Sequence, residues 1–165
     1  MGINISTPFD FDSDTLWLFY YHNNIPTVCK YDQDDDRVES IMPLNKSIWH
    51  PLLPYFDRII TGTMNASIPH PKRFSFLLDD GHCIVFDLDK NKLDYLPIND
   101  STWYGLAPYK DRIITAVQND RSLAASHYYI FLTNNEYLRF DLMGQTLLKG
   151  PIKVNDVNWP GLLRG

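Results

Sequence analysis

Runs rich in β-branched and aromatic residues, broken by Asp, Asn, Gly and Pro, recur along the whole chain. The middle of the sequence shows the pattern best. Asp57-Arg58-Ile59-Ile60-Thr61-Gly62 predicts a first strand. A polar, proline-bearing loop follows through Asn65, Pro69 and Pro71. Arg73 to Leu78 alternates ring and partner and predicts a second strand. Asp79-Asp80-Gly81 predicts a hairpin turn, because Asp-Gly supplies the positive φ that a tight turn needs. His82 to Phe86 is the expected third strand, and Asp87 to Asn91 the next turn. Lys92 to Leu96 is polar and weak, as suits a sheet edge, and Pro97 ends it. Asn99-Asp100-Ser101 is placed to cap one or two helical turns carrying Trp103 and Leu106.

The same order returns on either side. Downstream, the expected strands are Ile113 to Val117, His127 to Leu132, Tyr137 to Asp141 and Gln145 to Lys149, with a Thr133-Asn134-Asn135 turn. Upstream, they are Ile3 to Ile5, Leu16 to Tyr21, Thr27 to Tyr31 and Arg37 to Met42, with an Asn23-Asn24 turn. Fixed marks recur at intervals of about 54 residues, a length typical of repeat arrays. W-x-x-L stands at Trp49/Leu52, Trp103/Leu106 and Trp159/Leu162, each preceded by a proline at Pro43, Pro97 or Pro151. An aromatic residue precedes Asp at Tyr31-Asp32, Phe86-Asp87 and Phe140-Asp141. Tyr55-x-Asp57-Arg58-Ile59-Ile60-Thr61 recurs as Tyr109-x-Asp111-Arg112-Ile113-Ile114-Thr115.

Each unit therefore reads as a four-stranded antiparallel sheet with a short terminal helix. A sheet of this size buries its apolar faces by stacking on its neighbours. The fold expected is an all-β propeller of three four-stranded blades in one domain, over about residues 1–54, 55–108 and 109–165. No helical period of the length a helical solenoid needs appears in the chain.

Composition narrows the function classes. The 165-residue chain is 14% aromatic and 21% charged, which describes a folded domain. Its net charge is −5 and its basic residues are scattered, whereas nucleic-acid binding uses a clustered basic footprint. No stretch approaches the roughly 20 apolar residues of a membrane span. Met1-Gly2-Ile3-Asn4 shows neither a basic start nor an apolar run, so no signal peptide is visible. Cys29 and Cys83 fall in corresponding strands and are expected to be core thiols.

The third copy carries a resemblance. Tyr128-Tyr129-Ile130-Phe131, Tyr137-Leu138-Arg139-Phe140-Asp141, Gly150-Pro151-Ile152 and Trp159-Pro160-Gly161-Leu162 together resemble the hemopexin repeat. Weaker matches in the other two copies extend the resemblance over the chain, closest in flavour to bacterial photopexins or plant albumin-2 type proteins. The resemblance implies a hemopexin-like propeller, a secreted location, and a central tunnel in which backbone carbonyls coordinate cations such as calcium. The family's blade opening corresponds to Phe56 to Ile60 and Lys110 to Ile114, which makes Asp57, Arg58, Asp111 and Arg112 the tunnel candidates. Arg58 and Arg112 replace the family's small alanines, so their side chains are expected to block a cation or to invite an anion. An inter-blade ring of salt bridges is the alternative for the same four residues. The family uses four blades and this chain supplies three. The expected consequence is a homo-oligomer joined through open blade faces, such as a six-bladed ring from two chains.

Other candidate chemistry is sparse. Asp32-Gln33-Asp34-Asp35-Asp36 resembles a calcium loop, but an EF-hand needs Gly at its sixth position and Glu at its twelfth. Those positions hold Arg37 and Pro43, and the same test on Asp87-x-Asp89-x-Asn91 meets Lys92 and Ile98. Both segments therefore read as hairpin turns. The five histidines show no metal-ligand spacing; His50 and His70, in loops, are the only candidates for haem or a metal. His82 and Cys83 are adjacent in one strand and point to opposite faces. No nucleophile constellation and no glycine-rich phosphate loop appear.

The expected function is thus non-enzymatic: a binding module that meets a protein or ligand through its blade-end loops. Those loops are Ser6–Thr15, Met64–Lys72 and Gln118–Ser126, which vary between copies. The alternative is a carrier of haem, a polyamine or a metal ion in the tunnel. The negative charge fits a cationic ligand.

Overall fold

A computed structural model describes residues 2–3, 15–64, 73–100, 102–119, 127–141 and 146–163. The described residues are mostly β, in three antiparallel sheets of four strands, each a simple meander. The first holds β1 (Gly2–Ile3), β2 (Thr15–His22), β3 (Ile25–Asp32) and β4 (Arg37–Pro43). The second holds β5 (Ile59–Met64), β6 (Arg73–Leu78), β7 (His82–Asp87) and β8 (Lys92–Pro97). The third holds β9 (Ile113–Asn119), β10 (His127–Leu132), β11 (Glu136–Asp141) and β12 (Thr146–Lys153). The described residues fall into two compact units, Met1–Pro97 and Ile98–Gly165.

The turn residues explain the meanders. Asn23 and Asn24 both take positive φ between β2 and β3, as do Asn134 and Asn135 between β10 and β11. Asn tolerates this left-handed region better than most residues. Gly81, at φ +76°, turns β6 into β7. Sheet-edge strands are exposed: Val38 and Ile41 of β4, Ile114 and Val117 of β9 and Leu148 of β12 are at least 45% accessible. Exposed charges interleave with them, Arg37 and Glu39 on β4 and Lys149 and Lys153 on β12, and limit stray pairing with other chains.

The W-x-x-L mark has one physical meaning in all three copies. The Leu52 N–H donates to the Trp49 carbonyl at 2.9 Å, Leu106 to Trp103 at 2.9 Å, and Leu162 to Trp159 at 3.2 Å. A closed turn of three residues puts indole and leucine on the same side.

The helices differ from the sequence expectation. No helix carries Trp103 and Leu106. Asn99 and Thr102 instead pair through reciprocal backbone hydrogen bonds of 3.2 and 3.1 Å. Asn99 Oδ1 also accepts from the Thr102 N–H at 3.2 Å. Trp103 then takes φ +55° and Gly105 φ +87°, which a right-handed helix excludes. A 3₁₀ helix forms only afterwards, over Ala107–Arg112, with a proline in its first turn. The first copy behaves alike: a 3₁₀ helix spans His50–Arg58, starting beyond Trp49 and again led by proline. Asp57-Arg58 and Asp111-Arg112 close these helices, so the second copy's opening strand begins at Ile59 rather than at Asp57, while the third copy's begins at Ile113 as expected.

In the N-terminal unit the core forms where two sheets meet. Trp49 is fully buried between Trp17 and Phe19 of β2 on one side and Phe74, Phe76 and Phe86 of the second sheet on the other. Trp17 and Phe19 alternate with half-buried Leu16 and Leu18, the period-2 signature of a strand with one face in the core. Leu44, Leu52 and Ile59 complete the cluster.

In the C-terminal unit, Trp103 lies 4.9 Å from Phe140 and 6.2 Å from Tyr128. On β10, buried Tyr128, Ile130 and Leu132 alternate with half-buried Tyr129 and Phe131. Trp159 packs edge-on against Tyr129, Phe131 and Tyr137 at 5.0 to 5.6 Å. Gly105 lets the chain pass Leu147, since a Cβ there would stand 2.7 Å from the Leu147 Cβ.

Candidate binding surfaces

Arg58 and Arg112 are tied to equivalent places. The Arg58 carbonyl accepts from the Asp79 N–H and the Arg112 carbonyl from the Thr133 N–H, both at 2.9 Å. Each arginine thus docks on the turn joining the second and third strands of the sheet it leads into. The Arg58 guanidinium meets Asp80 at 2.5 Å. It also lies 5.3 Å from the centre of the Tyr55 ring and 5.8 Å from that of Tyr95. Tyr55, Tyr95 and His82 form a stack, with centroid separations of 5.3 and 4.4 Å. Asp80 gathers the polar ends: the Tyr95 hydroxyl donates to it at 2.7 Å, and His82 Nδ1 lies at 3.3 Å. Burial raises the Asp80 pKa, but the Tyr95 hydrogen bond and the Arg58 charge outweigh it and hold the carboxyl below its ordinary range. Burial and the bond to Asp80 push the Tyr95 phenol up.

Arg112 reaches a different acid. It bonds Glu136, and its guanidinium also donates to the Thr133 carbonyl at 3.0 Å. Lys153 Nζ stands 3.4 Å from the other Glu136 oxygen. The hydrogen bond from Arg112, joined by Lys153, lowers the Glu136 pKa against the opposing pull of burial. Both arginine charges are therefore met by acids of their own sheet's hairpin.

Asp57 faces elsewhere. The Tyr21 hydroxyl of β2 donates to Asp57 Oδ1, joining the first sheet to the 3₁₀ helix before the second. That bond, with burial and the Asp57 charge, raises the Tyr21 pKa. The Tyr21 ring stands edge-on to Phe56, 5.1 Å between centroids. Phe19, Tyr20, Tyr21, Phe56, Asp57 and Ile59 line a cleft of about 210 Å³. Asp111, the equivalent of Asp57, is exposed.

In the first two copies the aromatic-Asp mark is a turn device. Asp32 Oδ1 accepts from the Asp34 and Asp35 N–H groups at 3.0 Å, and Asp87 Oδ1 from Lys90 N–H at 3.1 Å. His50 Nδ1 lies 3.1 Å from the Ser47 carbonyl oxygen, and His70 falls outside the described residues. The loop positions 6–14, 65–72 and 120–126 fall outside them too. Among the described residues no group of three or more His, Cys, Asp or Glu side chains is arranged to hold a metal ion. No described helix is long and apolar enough to cross a membrane. Both cysteines are buried, and burial raises the pKa of the Cys29 thiol.

Sequence reading singled out the two arginines and Asp57 but not their partners. Asp80 and Glu136 stand on hairpins that a register argument could have set opposite the arginines. Tyr21 lies 36 residues from Asp57, and no local pattern links them. No protein-family model matches this chain, and no curated protein matches its sequence.

Proposed function

We propose that the chain is a non-catalytic binding module on a hemopexin-like β-propeller plan. It meets a protein or ligand through the loops joining the first and second strands of each sheet, and it self-associates through uncovered sheet faces. One observation carries the reading. Trp49 packs on its own copy's β2 and on the next copy's sheet, as a spacer between propeller blades does. Trp103 repeats the contact with the following sheet, on Tyr128 and Phe140, which are equivalent to Phe74 and Phe86. Trp159 repeats the contact with its own sheet, on Tyr129 and Phe131.

The leucine partners differ. Leu52 and Leu106 are fully buried, but Leu162 is 52% accessible and Leu163 beside it equally so. A second copy presenting its β2 face, with half-buried Leu16 and Leu18, offers the apolar surface that this position meets in the other copies. Light scattering at micromolar concentration tests self-association: a mass of two chains is expected, and Leu162→Asp should return it to one. A wild-type monomer at that concentration removes the oligomer. Thermal-shift screening with glycans, haem, spermine and calcium tests recognition by the loops. Replacing residues 65–72 by a Gly-Ser linker should erase a shift that the loops produce.

A carrier of small cations is favoured by a separate observation, the aromatic cleft beside Asp57.

A further inference from the structure

The geometry points to the Tyr21–Phe56–Asp57 cleft as a binding site for a short alkylammonium ion, an assignment that rests on the carrier reading. The lining is aromatic and aliphatic except for one carboxylate, Asp57, and the Tyr21 hydroxyl that donates to it. None of the lining side chains is basic. The nearest basic residue in sequence, Arg58, is engaged by Asp80 and the Tyr55 and Tyr95 rings instead. The cleft therefore presents a net negative charge beside the rings of Tyr21 and Phe56.

That combination selects among ligands. A carboxylate has acceptor capacity beyond the single bond from Tyr21. An ammonium group can donate a charge-assisted hydrogen bond to it and gain a cation–π contact from the rings. Anions meet repulsion from Asp57, and neutral alcohols forgo both charge terms. The volume of about 210 Å³ lies below the several hundred Å³ of drug-sized sites, so a short chain fits. Tyr21 is 51% accessible, which leaves the mouth open.

The test is an NMR titration of the full chain with n-pentylammonium chloride, following the Tyr21, Phe56 and Asp57 signals. Saturable shifts at those three residues are expected, with n-pentanol and pentanoate binding at least about tenfold more weakly, the loss of one charge-assisted bond. Asp57→Asn should weaken pentylammonium by about tenfold on the same ground. Tyr21→Phe keeps the ring and frees the carboxylate, so binding should stay within about threefold. Equal affinity for pentanol and pentylammonium, or shifts confined to other residues, overturns the assignment. Should Asp57→Asn fail to fold, the comparison of the three ligands on the wild-type chain decides alone. A monomeric chain that binds pentylammonium at Tyr21 would retire self-association and keep the cleft. A dimer that ignores it would do the reverse.

Discussion

Trp49 meets Phe74 edge to face, with ring centroids 4.8 Å apart and planes inclined at 76°. The two residues belong to successive copies of the repeat, so the contact joins one sheet to the next. Edge-to-face rings add to the area that both bury. Trp49→Ala should cost about 3–5 kcal/mol by urea unfolding, because it empties a fully buried site between two sheets. Trp159→Ala, at a half-buried site, should cost clearly less. Equal losses at the two positions would refute the spacer role of Trp49.

Asp32 and Asp87 both accept backbone hydrogen bonds in the turns that follow them. Asp87→Ala should cost about 1–2 kcal/mol, the loss of a net hydrogen bond at a buried acceptor. Asp87→Asn retains an acceptor oxygen and should lose less than half as much. If the asparagine variant is as unstable as the alanine one, the ion pairs with Arg73 and Lys90 matter more than the turn.

Acid should weaken the two arginine sites. Asp80 and Glu136 have folded pKa values below their ordinary 3.8 and 4.5. The unfolded chain therefore binds more protons than the folded one in this range, and stability falls as pH falls. The contribution is complete above the ordinary carboxylate values and is lost as pH drops through the lowered ones. Thermal melting of wild type against a D80N/E136Q variant should show a gap at pH 7 that closes below about pH 4. A gap that is constant with pH would contradict the assignment.

Gly105 and Gly161 both take positive φ, at +87° and +80°, but their surroundings differ. A Cβ at Gly161 meets nothing within 4 Å, whereas one at Gly105 meets Leu147 Cβ at 2.7 Å. Gly161→Ala should cost about 1 kcal/mol from backbone strain alone. Gly105→Ala adds overpacking and should cost about 2–4 kcal/mol. Chemical denaturation of both variants checks the order, and a reversed order would sink it.

Much of the sheet structure was legible locally. The strands Arg73–Leu78 and His127–Leu132 stand where alternation put them, and Gly81 turns the chain where Asp-Gly predicted. The helical turns around Trp103 were misread, because Asn99 caps equally well a helix or a tight turn. The choice fell to the turn, since Trp103 and Gly105 sit at positive φ and Gly105 must pass Leu147. At the candidate sites, sequence singled out Arg58, Arg112 and Asp57 but not what each would touch.

Residue order alone settled the period of the chain, its strands and its hairpins, because alternation and turn chemistry act between neighbours along the backbone. Packing decided that Arg58 would answer to Asp80 and Arg112 to Glu136, that Tyr21 would close on Asp57, and that Trp49 would be buried where Leu162 stays open to water. Such partners are set by the register and stacking of whole sheets, and no interval between residues along the chain carries that information.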